Sequence, residues 1–230
     1  MSSNVAIATD SGTMGGYLAA PSTANGAGIV VIQEIFGINR FVRAVADHYA
    51  SRGYFALAPD LFWRLEPGIV LDDRVETDRN RAFGLFPKFN ADLGIMDIEA
   101  AIDRLRGTEK CGKVGAVGYC LGGLLAYLTA ARTDADASVG YYGVSIEEKL
   151  GEAAGIGKPL MLHIAEKDRF VPPAAQKRIA DGLKGNSHIT IHTYPGMDHA
   201  FARQGGENYD AANAELANSR TADFFRRHLS

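Results

Sequence analysis

Short apolar runs rich in Val, Ile and Ala recur along the chain, and each ends in a turn signal. They fall at 28–33 (GIVVIQ), 54–58 (YFALA), 113–119 (KVGAVGY), 137–142 (ASVGYY), 159–165 (PLMLHIA) and 188–194 (HITIHTY), and their composition predicts strands. Most are apolar on both faces, as strands covered by helices on both sides are. Helical patterns separate them, at 40–52, 90–106, 121–132, 174–183 and 209–227. In the second, ADLGIMDIEAAIDRLR places Leu93, Met96, Ala100, Ile102 and Leu105 near helical spacing, with acids early and bases late to suit the helix dipole. This alternation predicts an α/β fold with a mostly parallel central sheet, helices on both faces and right-handed crossovers. One stretch breaks the rhythm. Residues 66–89 are polar, arginine-rich and aromatic, which predicts a lid-like excursion at about 64–90 over the carboxyl ends of the strands.

A chain of 230 residues buries one substantial core, so a single domain over 1–230 is expected. The net charge of −3 carries no basic excess to neutralise a phosphate backbone, which argues against nucleic acid. An anionic small molecule would therefore need arginines placed within its own site. The opening MSSNVAIATDSG has neither a basic region nor a long apolar run, and no stretch approaches the ~20 apolar residues of a membrane span. The expectation is a cytoplasmic monomer, without membrane contact, acting on a small molecule. Cys111 and Cys120 are the only cysteines and form no CxxC, so neither a disulfide framework nor a metal site is expected, and no cofactor.

In an open α/β sheet, ligands bind beyond the carboxyl ends of the strands. The residues just past the predicted strands are Glu34, Asp60, Cys120, Asp168 and His199. Gly118-Tyr119-Cys120-Leu121-Gly122 is the thiol version of the G-x-S-x-G elbow, where a strained strand-to-helix turn lifts a nucleophile into the open. The order nucleophile, Asp, His is that of the α/β-hydrolases. His199 sits in the loop sequence PGMDHAF, whereas His163, His188 and His192 fall within predicted strands. The Leu121 N–H at the helix start and the Ile35 N–H in QEIFG are the candidate oxyanion donors. Bland readings stand beside these: Cys120 as a buried structural thiol, Asp168 as a turn residue, Glu34 as a solvated acid, and Arg74, Arg79 and Arg81 as a charged loop face. Arg203, four residues past His199, is harder to place away from the site.

The segments QEIFGIN, APDL, GKVGAVGYCLGG, VGYYGV, DRFVP and HAFAR resemble the dienelactone hydrolase (carboxymethylenebutenolidase) family over nearly the whole chain. The resemblance implies an α/β-hydrolase fold and hydrolysis of dienelactones, small anionic lactones, to maleylacetate in the breakdown of catechols and chlorocatechols. Cys120 matches the nucleophile, Asp168 the acid and His199 the base. Glu34 matches a glutamate that pairs with the thiol in the empty site and takes its proton when substrate binds. Arg79 and Arg203 match the arginines that hold the substrate carboxylate, with Arg79 preferred to Arg81 on an ungapped match. Phe83 and Phe86 stand where the family carries larger or hydroxylated aromatics, which leaves open the preference for cis, trans or chlorinated dienelactones. A general esterase or thioesterase, or a non-catalytic binding protein of the same fold, are the alternatives.

Overall fold

The computed structural model describes residues 2–230; Met1, at the head of the segment read for a leader, lies outside them. The strands are β1 (Ser2–Thr9), β2 (Gly12–Ala19), β3 (Ala27–Ile32), β4 (Phe55–Pro59), β5 (Lys113–Tyr119), β6 (Ala137–Tyr141), β7 (Leu160–Ala165) and β8 (Ile189–Tyr194). They join in one sheet in the order β1-β2-β4-β3-β5-β6-β7-β8. From β4 through β8 all neighbours are parallel, while β2 pairs antiparallel with both β1 and β4. The β1–β2 hairpin was not expected from the sequence. Its glycine-rich second strand and largely exposed first strand carry no run of β-branched residues, and the turn is closed instead by the Thr9 hydroxyl, which accepts from Ser11 N–H at 3.2 Å.

Alternation along the central strands divides the core between the two faces of the sheet. Val30 and Ile32 pack on one side with α3 (Ala91–Gly107), α4 (Leu121–Arg132) and α5 (Pro173–Leu183). Ile29 and Val31 pack on the other with α1 (Arg40–Ser51) and α6 (Ala211–Leu229). The buried stripe of α3 is Ile95, Ile98, Ala101, Ile102 and Leu105, whereas Met96 is exposed. Ile102 and Leu105 of the expected set lie in this stripe, but Met96 falls one position off the series Ile95, Ile98, Ile102, Leu105, which follows i, i+3, i+7, i+10.

The excursion at 64–90 contains α2 (Glu76–Leu85) and is tied down at its base. Asp97 accepts from Trp63 Nε1 at 2.9 Å and from Arg64 Nη2 at 2.8 Å. Asp60 accepts from the backbone N–H groups of Phe62 at 3.2 Å and Gly68 at 2.7 Å. Leu71 N–H donates to Phe36 O at 3.0 Å, docking the excursion on the loop after β3. Asp60 is therefore an anchor of this segment rather than a reacting group.

Candidate active site

The loops after β3, β5, β7 and β8 carry Glu34, Cys120, Asp168 and His199 to the same edge of the sheet. Cys120 has φ 57 and ψ −114, a left-handed conformation that side chains with a Cβ adopt at a cost of about 1–3 kcal/mol. The surrounding glycines show why the turn is possible. A Cβ on Gly118 would lie 1.8 Å from Gly122 O, and one on Gly122 would lie 2.5 Å from Ile32 O, so helix, strand and turn close over each other only without side chains. The turn is held by Cys120 N–H donating to Tyr141 O at 3.0 Å. The sulfur thus stands at the N-terminus of α4, where the helix dipole favours negative charge.

His199 Nδ1 is 2.8 Å from Asp168 Oδ2, and Asp168 Oδ1 also accepts from Phe170 N–H at 2.8 Å, so the acid is fixed at both oxygens. Burial works against a charge on His199, but the neighbouring Cys120 sulfur and the Asp168 carboxylate outweigh it and raise the imidazole to about 10. The imidazolium is thus favoured when the Cys120 sulfur beside it is charged. Phe170 and Tyr142 flank it edge-on, with centroids at 4.8 Å and 5.1 Å. Neither the Leu121 nor the Ile35 N–H donates to another described residue, which leaves both free for an oxyanion. His163, by contrast, is buried in β7 between the Tyr194 and Thr221 hydroxyls and belongs to the core.

Glu34 is 1% exposed, and burial pushes its carboxyl above the usual range against the opposing pull of Arg203 and His199. Its Oε2 accepts from Arg203 Nη1 at 3.2 Å, while Oε1 has no partner. The resemblance pairs Glu34 with the thiol in the empty site. Here no hydrogen bond joins them: Arg203 holds Oε2, Oε1 is left without a partner, and the thiol pairs with His199 instead. Arg203 is largely buried, and its Nε and the hydroxyl of buried Tyr142 are likewise without hydrogen-bond partners. Arg79 reaches this region through Nη1, which donates to Asp73 O at 3.1 Å, whereas Arg81 is exposed and pairs with Glu66.

Sequence reading missed Asp73, Tyr142 and Phe170. Tyr142 and Phe170 stand inside VGYYGV and DRFVP, so their motifs were visible although their contacts were not. Asp73 carried no signal, lying in a polar run of the excursion. Three of the five non-glycine residues with positive φ among the described residues, Cys120, Tyr142 and Ala200, cluster here. Backbone strain of this kind clusters at sites of chemistry and binding.

Comparison with known proteins agrees with this architecture. The model of the Dienelactone hydrolase family matches residues 14–229. A protein of Azospirillum brasilense is 45% identical over 228 residues, covering 96% of each chain. A carboxymethylenebutenolidase of Pseudomonas putida is 40% identical over 216 residues, covering 94% of this chain and 92% of its own. A crystal structure from Klebsiella pneumoniae shares the fold with a TM-score of 0.87 at 24% identity, covering 98% of each chain. With the α/β-hydrolase sheet, the elbow and this similarity along nearly its full length, the chain belongs to the dienelactone hydrolase family and is a hydrolase.

Proposed function

We propose that the protein opens the ring of a lactone that carries a carboxylate, converting dienelactone to maleylacetate in catechol and chlorocatechol degradation, with Cys120 as nucleophile. The observation that carries this reading is a largely buried arginine, Arg203, whose Nε makes no hydrogen bond, in the same site as a strained thiol elbow. Such a guanidinium fork reads a planar carboxylate at two oxygens. Arg79, on the excursion above it, is the second cation.

Binding of the substrate carboxylate draws Arg203 away from Glu34. The glutamate then loses the charge that opposes its burial, becomes a stronger base, and takes the Cys120 proton on its free Oε1. The thiolate, facing the His199 imidazolium, attacks the lactone carbonyl. The oxyanion rests on the N–H groups of Leu121 and Ile35, each such donor being worth roughly 2.7–4 kcal/mol. Collapse breaks the ring C–O bond and leaves a thioester on Cys120 and an enolate, which His199 protonates. Neutral His199 then accepts a proton from water as the water attacks the thioester; the Cys120 thiolate leaves and recovers its proton from Glu34. A delocalised enolate is a good leaving group, so unactivated esters should react poorly.

The test compares a carboxylate-bearing lactone with its methyl ester. A charged hydrogen-bonded contact is worth about 1.5–3 kcal/mol, so kcat/KM should favour the acid by roughly 10–100-fold. Equal rates would remove the anion site from the account. Cys120→Ala should abolish turnover of both, and retained turnover would remove the nucleophile.

A further inference from the structure

Arg203 serves two carboxylates, not one. Glu34 lies 3.2 Å from Nη1, and on the opposite side Asp73 Oδ2 lies 3.4 Å from Nε. Asp73 is 8% exposed overall, yet its carboxylate accepts no hydrogen bond from any described residue. The other buried acids are all committed to donors. Asp97 is held by Trp63 and Arg64, Asp60 by two backbone N–H groups, Asp168 by His199 and Phe170, and Glu34 by Arg203. Asp73 alone is held by a single ion pair whose nitrogen makes no hydrogen bond, so the contact is charge without direction.

We propose that Asp73 is a built-in occupant of the anion site: it fills the Arg203 fork when the site is empty, and the substrate carboxylate must displace it. This rests on the reading that Arg203 receives that carboxylate. Displacement needs only a side-chain rotation, because the backbone around Asp73 is fastened independently. Arg79 Nη1 donates to its carbonyl, Asp72 N–H donates to Asp78 at 2.8 Å, and Arg74 N–H donates to Asp72 at 3.0 Å. The Arg203 contact with Glu34 is directed and that with Asp73 is not, so an incoming carboxylate takes the place of Asp73 first and then draws the guanidinium from Glu34. The consequence is selective. A resident carboxylate raises the KM of every anionic ligand, so one that also reaches Cys120 and the Phe170 ring beside His199 is favoured over a bare anion.

Asp73→Asn keeps the shape and removes the competing charge. The expected result is that KM for the carboxylate-bearing lactone and the inhibition constant of maleate fall together by about 5-fold or more, with the change in KM rather than kcat. The acid-over-ester preference in kcat/KM rises by the same factor. Asp73→Ser provides a second variant with the charge removed. A KM and maleate constant that stay level or rise in both variants overturn the inference, because Asp73 would then orient Arg203 rather than compete for it. If the wild type separates acid from ester and the variants do not sharpen that separation, this inference fails alone. If the wild type does not separate them, the Arg203 reading fails and this inference with it.

Discussion

Replacing Cys120 by Gly should make the protein more stable than replacing it by Ala, the reverse of what holds at ordinary positions. At φ 57 and ψ −114 a residue with a Cβ carries about 1–3 kcal/mol of backbone strain, which glycine does not. Against this, glycine adds unfolded-state entropy of about 0.4–1 kcal/mol. It also forfeits part of the ~0.8 kcal/mol that one buried carbon is worth, only part because Cys120 is half-buried. The balance favours Cys120→Gly by about 1 kcal/mol. With a urea slope of roughly 2–3 kcal/mol/M, the unfolding midpoint should lie about 0.3–0.5 M higher than for Cys120→Ala. Both variants lack the thiol, so the comparison isolates the backbone. Ala100→Gly, in the middle of α3, serves as the ordinary case and should cost about 1 kcal/mol. A Cys120→Gly midpoint below that of Cys120→Ala would refute the strain argument and the elbow geometry with it.

Two further outcomes follow from the same region. Gly122→Ala places a Cβ 2.5 Å from Ile32 O and 2.6 Å from Gln33 O, both backbone atoms of a central strand end, so a loss of about 3 kcal/mol or more in urea unfolding is expected. His199 is raised from 6.5 to about 10 in the folded protein, so its contribution to stability is full below about pH 6.5 and is lost as pH rises through about 10. The wild-type unfolding midpoint should therefore decline between pH 7 and 10 more steeply than that of His199→Asn, and parallel declines would count against the charged imidazole.

The parallel half of the sheet was legible because β3, β5, β6 and β7 are buried on both faces, and burial on both faces leaves an apolar run with little else it can be. The β1–β2 hairpin was not, since an edge ribbon is specified by pairing to β4 rather than by its own composition. Cys120, Asp168 and His199 could be read because each follows a strand in a fixed order. Their relation to Glu34 could not. The thiol could pair with Glu34 or with His199, and only geometry decides between them. Asp73 was invisible for a related reason: what distinguishes it is the absence of hydrogen bonds to a buried acid, which no local pattern records.

The proposed reaction has Cys120, Asp168 and His199 hydrolyse an anionic lactone held by Arg203. It is checked by steady-state turnover of cis- and trans-dienelactone by the wild type and by Arg203→Ala. Maleylacetate should be released from at least one isomer, and Arg203→Ala should raise KM by at least 10-fold. A wild type inactive on both isomers, or an Arg203→Ala variant with unchanged KM, would contradict it.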